Sequence, residues 1–192
     1  MKIHKKIYDK YLSVIRINEL IKRLKPLLKD SKNVLDVGCG NGRISKILMK
    51  ENPNLYIKGI DVFNIENSQI SYKIFDGKKI PYKKKSFDTI ILIDVLHHTE
   101  NIEELIKECI KVSKKYIIIK DHYYKNLIDY LILKIYDYIG NKPYNINLPY
   151  NFKKIGYWKK LIRNNNLEEI YFKKFRYKMQ PGKQLIMKLK IK

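Results

Sequence analysis

Apolar positions along the 192-residue chain follow two rhythms, short continuous runs and stretches at helical spacing. Ile3, Ile7, Tyr11, Val14, Ile21, Leu24 and Leu28 recur near a 3.6-residue period, which predicts an amphipathic helix over 3–28 that Pro26 kinks or ends. The apolar run 33–37 predicts a first buried strand, and Ile44, Ile47 and Leu48 then resume helical spacing through about residue 50. Asn52-Pro53-Asn54 breaks that helix, and a second strand follows over 56–61. The interval 62–75 is too short for a full helix plus a strand. A loop with one helical turn at most is expected there, then a third strand over 72–75 that Asp76-Gly77 ends.

The second half repeats the alternation. Phe87 opens a fourth strand whose apolar run, 89–93, suits burial on both faces, and Asp94-Val95-Leu96-His97-His98 leaves its carboxyl end. Asn101 with Glu104 fits a helix cap, and Ile102, Leu105, Ile106, Cys109 and Ile110 form the core face of the helix it starts. A fifth strand is expected over 116–119, with Lys120-Asp121-His122-Tyr123 leaving its end. A helix over 126–139, an irregular stretch through 152 and a helix over 155–163 come next. Two strands, 169–175 and 184–191, flank Gln180-Pro181-Gly182 and predict an antiparallel edge hairpin. Strand and helix in alternation predict a parallel α/β sheet. The length fits one domain over 1–192, with an amino-terminal helix (1–30), a core (33–120), an insertion (123–152) and a carboxyl-terminal helix and hairpin (153–192).

Composition changes this picture little. No apolar run reaches membrane-spanning length, and residues 1–10 are polar and basic, unlike a signal peptide. Cys39 and Cys109 lie far apart without metal-ligand spacing, which fits a reducing, cytoplasmic setting. The net charge of +22 would ordinarily suggest nucleic acid or an anionic surface. The excess is nearly all lysine and is dispersed along a chain that has no alanine and is crowded with Ile, Asn, Tyr and Lys. Those four residues have A/T-rich codons, so coding bias accounts for the charge without a polyanion partner.

Candidate chemistry centres on the turn after the first strand. Gly38, Gly40 and Gly42 alternate there, letting the backbone turn sharply and approach a ligand, while the next helix points its free N–H groups at whatever the turn holds. Asp61 ends the second strand 23 positions beyond Gly38, the spacing at which an acid accepts from ribose hydroxyls. A nicotinamide-dehydrogenase reading fits less well. That fingerprint is G-x-G-x-x-G, whereas Arg43 and Ile44 follow the third glycine here.

VLDVGCGNG (34–42), GID (59–61), FDG (75–77), IPY (80–82), FD (87–88) and DVLHH (94–98) occur in the order seen in class I S-adenosylmethionine-dependent methyltransferases. The chain resembles in particular their type 11 group. The resemblance implies a Rossmann-like seven-stranded, mostly parallel sheet of order 3-2-1-4-5-7-6, with the last hairpin antiparallel and helices on both faces. It implies S-adenosyl-L-methionine as cofactor. Asp36, Gly38, Gly40 and Gly42 would hold its amino-acid end, Asp61 and Val62 the ribose, and Asp76 with Gly77 the adenine. Asp94 and Val95 would sit beside the methionine tail and sulfonium. The chain lacks the family's longer helix between the second and third strands, which leaves the adenine pocket open or walled by Phe63.

Methyl transfer from a sulfonium is an in-line displacement, so the protein mainly aligns the acceptor and excludes water. A general base helps with a hydroxyl acceptor. His97, His98, Asp121 and His122 follow the fourth and fifth strands, where the methyl group would point. His122, oriented by Asp121, is the first candidate base, and capping of the strand is the competing role. His98 is the second candidate, against packing of the helix that follows. A metal is not expected, since no acid and histidine cluster of ligand spacing is visible. Tyr8, Tyr11, Tyr123, Tyr124, Tyr130, Tyr136, Tyr144 and Tyr150 would supply an aromatic acceptor wall, alongside the dominant role expected for Leu127, Tyr130, Leu131 and Ile135, packing their helix onto the core. A small-molecule or lipid-like acceptor is the leading expectation. RNA is the alternative, and a non-catalytic cofactor-binding partner protein is the third.

Overall fold

The computed structural model describes residues 2–141, 148–177 and 181–192, with side chains from residue 14 onward. Its strands are β1 (Asn33–Val37), β2 (Tyr56–Asp61), β3 (Tyr72–Ile74), β4 (Phe87–Ile93), β5 (Ser113–Tyr123), β6 (Leu167–Phe175) and β7 (Lys183–Ile191). They form a seven-stranded sheet in the order β3-β2-β1-β4-β5-β7-β6. The pairings from β3 through β5 are parallel, and β7 runs antiparallel to both β5 and β6. The helices are α1 (Lys2–Leu27), α2 (Arg43–Glu51), α3 (Ile102–Val112), α4 (Leu127–Asn141) and α5 (Ile155–Asn164).

Side chains alternate across the strands and build two cores. Val34, Ile57, Ile91, Ile118 and Ile186 pack with Leu20 and Leu24 of α1 and Leu48 of α2. Their neighbours Leu35, Ile90, Leu92, Ile117, Ile119 and Met187 face Ile106 and Cys109 of α3 and Trp158 and Leu161 of α5. Because both faces are covered, the central strands read as continuous apolar runs. The predicted cap is present, with Asn101 Oδ1 accepting from the Glu104 N–H at 3.2 Å. Pro26 lies in the last turn of α1, and the helix ends one residue beyond it.

One element differs from its sequence pattern. β5 does not stop at Ile119 but runs through Tyr123, because β7 continues to pair with it to His122↔Gln184 and Tyr123↔Lys183. Lys120, Asp121 and His122 are therefore strand residues with alternating directions. Lys120 and His122 share the α1–α2 face with Ile118, and Asp121 shares the other face with Ile119. The predicted loop between β2 and β3 carries no helix. Tyr8 and Tyr11 lie outside the described side chains, and Tyr144 and Gln180 outside the described residues.

Candidate active site

The carboxyl ends of β1, β2, β4 and β5 converge on one edge of the sheet, the usual ligand edge of an open parallel α/β fold. At the β1 turn Gly38, Gly40 and Gly42 have φ values of +71°, +51° and +72°. A Cβ on Gly38 would lie 2.5 Å from Val95 Cγ2, so this glycine lets the ends of β1 and β4 meet. Among the described residues, Gly40 has no neighbour within 4 Å of such a Cβ. The turn is tied to β2 at Ile60 and at Asp61. Gly38 N–H donates to the Ile60 carbonyl at 2.8 Å, and Gly40 N–H donates to Asp61 Oδ2 at 2.8 Å. Asp61 Oδ1 also accepts from the Phe63 N–H at 3.1 Å, which orients the carboxylate at the strand end.

Asp36 is buried in β1 and accepts from the Ser45 hydroxyl at 2.5 Å. Burial pushes its carboxyl up to about 7, with the Asp61 charge adding and the Ser45 hydrogen bond opposing. Val62 and Phe63 are 48% and 42% exposed beyond β2. Asp76 is exposed, and its Oδ1 accepts from the backbone N–H groups of Lys78 and Lys79 at 2.8 and 2.7 Å. Those donors hold its carboxyl below the ordinary range. Gly77, at φ +76°, completes this turn beside Val62.

At the end of β4, Asp94 adopts φ +57° and receives three basic groups. Lys120 Nζ is 2.5 Å from Oδ1, Arg16 of α1 is 2.6 Å from Oδ2, and His122 Nδ1 is 3.3 Å from Oδ1. Burial alone would raise the Asp94 carboxyl, but Lys120, His122 and Arg16 outweigh it and hold it well below the ordinary range. The His122 imidazole is lowered, by burial first and by the Lys120 charge, with Asp94 opposing.

Asp121 does not orient His122 as expected. Its Oδ1 is 2.6 Å from His97 Nδ1 and 3.6 Å from His122 Nδ1, and its Oδ2 accepts from the Leu96 N–H at 3.0 Å. The physical reason is strand parity: Asp121 and His122 leave β5 on opposite faces. His97 is buried, stacks on Phe152 at 5.0 Å between centroids, and sits 5.0 Å from the His122 ring. Burial works to lower its imidazole, yet Asp121, Asp137 and Asp94 together push it up to about 10. His98 and His97 each place Nε2 3.6 Å from Asp137 Oδ1 of α4. The expectation that no acid and histidine cluster accompanies these residues is corrected: the turn after β4, β5 and α4, remote in sequence, assemble two overlapping trios. Arg16 and Asp137 carried no local motif, and Lys120 stood in the run after the fifth strand without an assigned role. His97 stood in the motif beside His98 but only tertiary packing gives it the buried position.

An acid-lined, glycine-turned carboxyl edge on a 3-2-1-4-5-7-6 sheet defines a class I S-adenosylmethionine-dependent methyltransferase. The chain belongs to the methyltransferase domain family, which it matches over residues 8–167. It is 27% identical to a ubiquinone biosynthesis O-methyltransferase of Rickettsia bellii, over 91% of this chain and 78% of that protein. A tRNA U34 carboxymethyltransferase of Nautilia profundicola is 35% identical over 97 residues, which span 44% of this chain and only 32% of that protein. The fold also matches a magnesium protoporphyrin IX methyltransferase from Synechocystis solved with bound SAH, at a TM-score of 0.66 and 17% identity, covering 95% of this chain and 86% of that one.

Proposed function

We propose that this methyltransferase acts on an oxygen or nitrogen of a small metabolite or lipid-like molecule. The observation that carries this reading is the aromatic lining beside His122. Phe152 lies 5.0 Å from the His97 ring and 6.0 Å from His122, Tyr130 meets Phe152 at 6.2 Å, and Tyr124 meets Tyr130 at 5.3 Å. The segment carrying Phe152 is held over the edge, with Asn151 N–H donating to the His97 carbonyl at 3.0 Å. Such a wall suits a planar or apolar acceptor. Tyr136, 52% exposed, makes none of these ring contacts.

S-adenosylmethionine supplies an activated methyl group when bound. Asp36 and the turn of Gly38, Gly40 and Gly42 take its amino-acid end, where N–H groups suit a carboxylate and a carboxylate suits an ammonium. Asp61 and Val62 take the ribose, Asp76 and Gly77 the adenine, and Asp94 and Val95 the region of the methionine tail and sulfonium. Burial disfavours the charged form of His122 and so favours the neutral imidazole, which can take a proton from an acceptor hydroxyl. Its positioning partner is Asp94. Asp121 and His98 support the site through His97 and α4.

Relatives named as a tRNA U34 carboxymethyltransferase and a tRNA (carboxymethyluridine(34)-5-O)-methyltransferase favour RNA as a second reading. Against it stands the location of one lysine-lined groove. Lys84, Lys85, Lys107, Lys111, Lys114 and Lys192 line a groove of about 550 Å³ at the amino-terminal edge, opposite the glycine turn. RNA held there would not present a base to the methyl group.

The deciding experiment is transfer of labelled methyl from S-adenosylmethionine into a source-cell lysate, split by nuclease digestion and solvent extraction. Nuclease-resistant label in the small-molecule or lipid fraction is expected. Label lost on nuclease treatment would replace this reading with the RNA one. Cofactor binding without transfer into any fraction would leave a cofactor-binding partner protein.

A further inference from the structure

Behind the proposed acceptor wall, three donor atoms meet from two distant elements. His97 and His98 come from the single helical turn Leu96–His98 after β4, and Asp137 comes from α4. Each histidine Nε2 is 3.6 Å from Asp137 Oδ1, and the three ligand atoms lie within 4.8 Å of one another. That separation is too long for a hydrogen bond. It is close to the ligand–ligand spacing of about 3.3–3.5 Å that metal bonds of about 2.0–2.2 Å produce in a tetrahedral set.

Two independent observations point to a cation. Asp137 is buried, and among the described residues its Oδ2 accepts no hydrogen bond. A buried carboxylate oxygen without a donor is costly, and a bound cation removes that cost. The second observation is the state of the outer groups. His97 holds its Nδ1 2.6 Å from Asp121 Oδ1, which fixes the ring with Nε2 toward Asp137. Asn141 Nδ2 donates to Asp137 Oδ1 at 2.7 Å. A ligating histidine whose other nitrogen meets a carboxylate, and a ligating carboxylate that is itself hydrogen-bonded, are the outer-shell arrangement that tunes metal sites. The overlapping trio His97, Asp121 and His122 is the weaker set, since it would sacrifice the His97–Asp121 bond.

We propose that His97, His98 and Asp137 bind a divalent first-row transition-metal ion, with Asp121 and Asn141 orienting the ligands. Two imidazoles and one carboxylate suit Zn²⁺, Co²⁺ or Ni²⁺ over the hard cations Ca²⁺ and Mg²⁺. The ion clamps α4 to the carboxyl edge next to His122 and keeps coordination positions open for water or an acceptor oxygen. This site does not depend on the identity of the acceptor.

The test uses the tag-free full chain, stripped with chelator and titrated with Zn²⁺ against a chromophoric chelator, then with Co²⁺ by visible absorption. One equivalent of either ion is expected, with Co²⁺ d–d bands and no thiolate charge-transfer band. Asp137→Asn and His98→Gln should each weaken Zn²⁺ at least 10-fold, and His122→Gln should leave it within 2-fold. The Co²⁺ spectrum of the unmodified chain keeps the test decisive if a variant fails to fold. Absence of stoichiometric binding, a thiolate band, binding that survives Asp137→Asn, or loss on His122→Gln would each overturn the assignment. In the first case His97 is simply a histidine paired with two aspartates.

Discussion

The ammonium of Lys120, fully buried in β5, lies 2.5 Å from Asp94 Oδ1 at the end of β4. The contact joins the two strands at the edge where the chemistry is proposed, and Arg16 extends it to α1. Asp94→Asn would leave Lys120 and Arg16 without their counter-charge. A loss of about 3–5 kcal/mol in urea unfolding is expected, while Lys120→Met in the Asp94→Asn background should recover part of it. Equal stability of wild type and Asp94→Asn would show that the pair contributes nothing.

Gly38 and Gly40 separate two roles of the turn. Gly38→Ala drives a Cβ into Val95 and should lower the melting temperature by several degrees, with cofactor binding lost alongside. Gly40→Ala meets no atom of the described residues, so only the left-handed backbone cost of about 1 kcal/mol is expected. Its main effect should fall on S-adenosylmethionine affinity, measured by calorimetry. Equal thermal losses at the two positions would refute the distinction.

Asp61→Ala should weaken S-adenosylmethionine by at least about 10-fold, roughly 1.4 kcal/mol, because ribose loses a charged acceptor and Gly40 loses its tether. Cofactor-induced thermal stabilisation of the variant is the readout. An undiminished shift would remove Asp61 from the cofactor site.

Asp36 gives a pH signature. Its folded pKa, about 7, lies above the unfolded carboxyl value of about 4. Its stability contribution is therefore complete below about pH 4 and is lost as pH rises through about 7. Between pH 5 and 8 the wild type should lose stability relative to Asp36→Asn, and wild-type cofactor affinity should rise as the carboxylate becomes available to the ammonium. Parallel stability profiles for the two proteins would exclude the buried, protonated carboxyl.

His122→Gln should lower turnover about 10²-fold or more with a hydroxyl acceptor while leaving S-adenosylmethionine affinity within 2-fold. Rapid turnover of the variant on the true acceptor would remove the base role.

Much of this architecture was legible in residue patterns. Strands 33–37 and 56–61 emerge with their expected bounds because apolar runs meet hard punctuation, a glycine turn after one and an acid at the end of the other. The end of β5 was hidden for a physical reason. Lys120-Asp121-His122 reads as a polar loop, and only pairing with β7 and partners on both sides make it a strand. Asp137 was hidden among Leu, Ile and Tyr of α4, because its partners come from forty positions upstream. The residues expected to hold the cofactor sit at the strand ends and turns that the apolar runs and glycines predict. The network around His97 is a product of tertiary assembly.

The alternation along β5 makes neighbouring letters serve different neighbourhoods. Lys120 and His122 answer to Asp94 and the α1 side, and Asp121 answers to His97 and the α3 side. A single inserted residue just before Lys120 would therefore act like a frameshift in three dimensions. It would exchange the two addresses, sending an ammonium toward an imidazole and a carboxylate toward a carboxylate, with every side chain chemically intact.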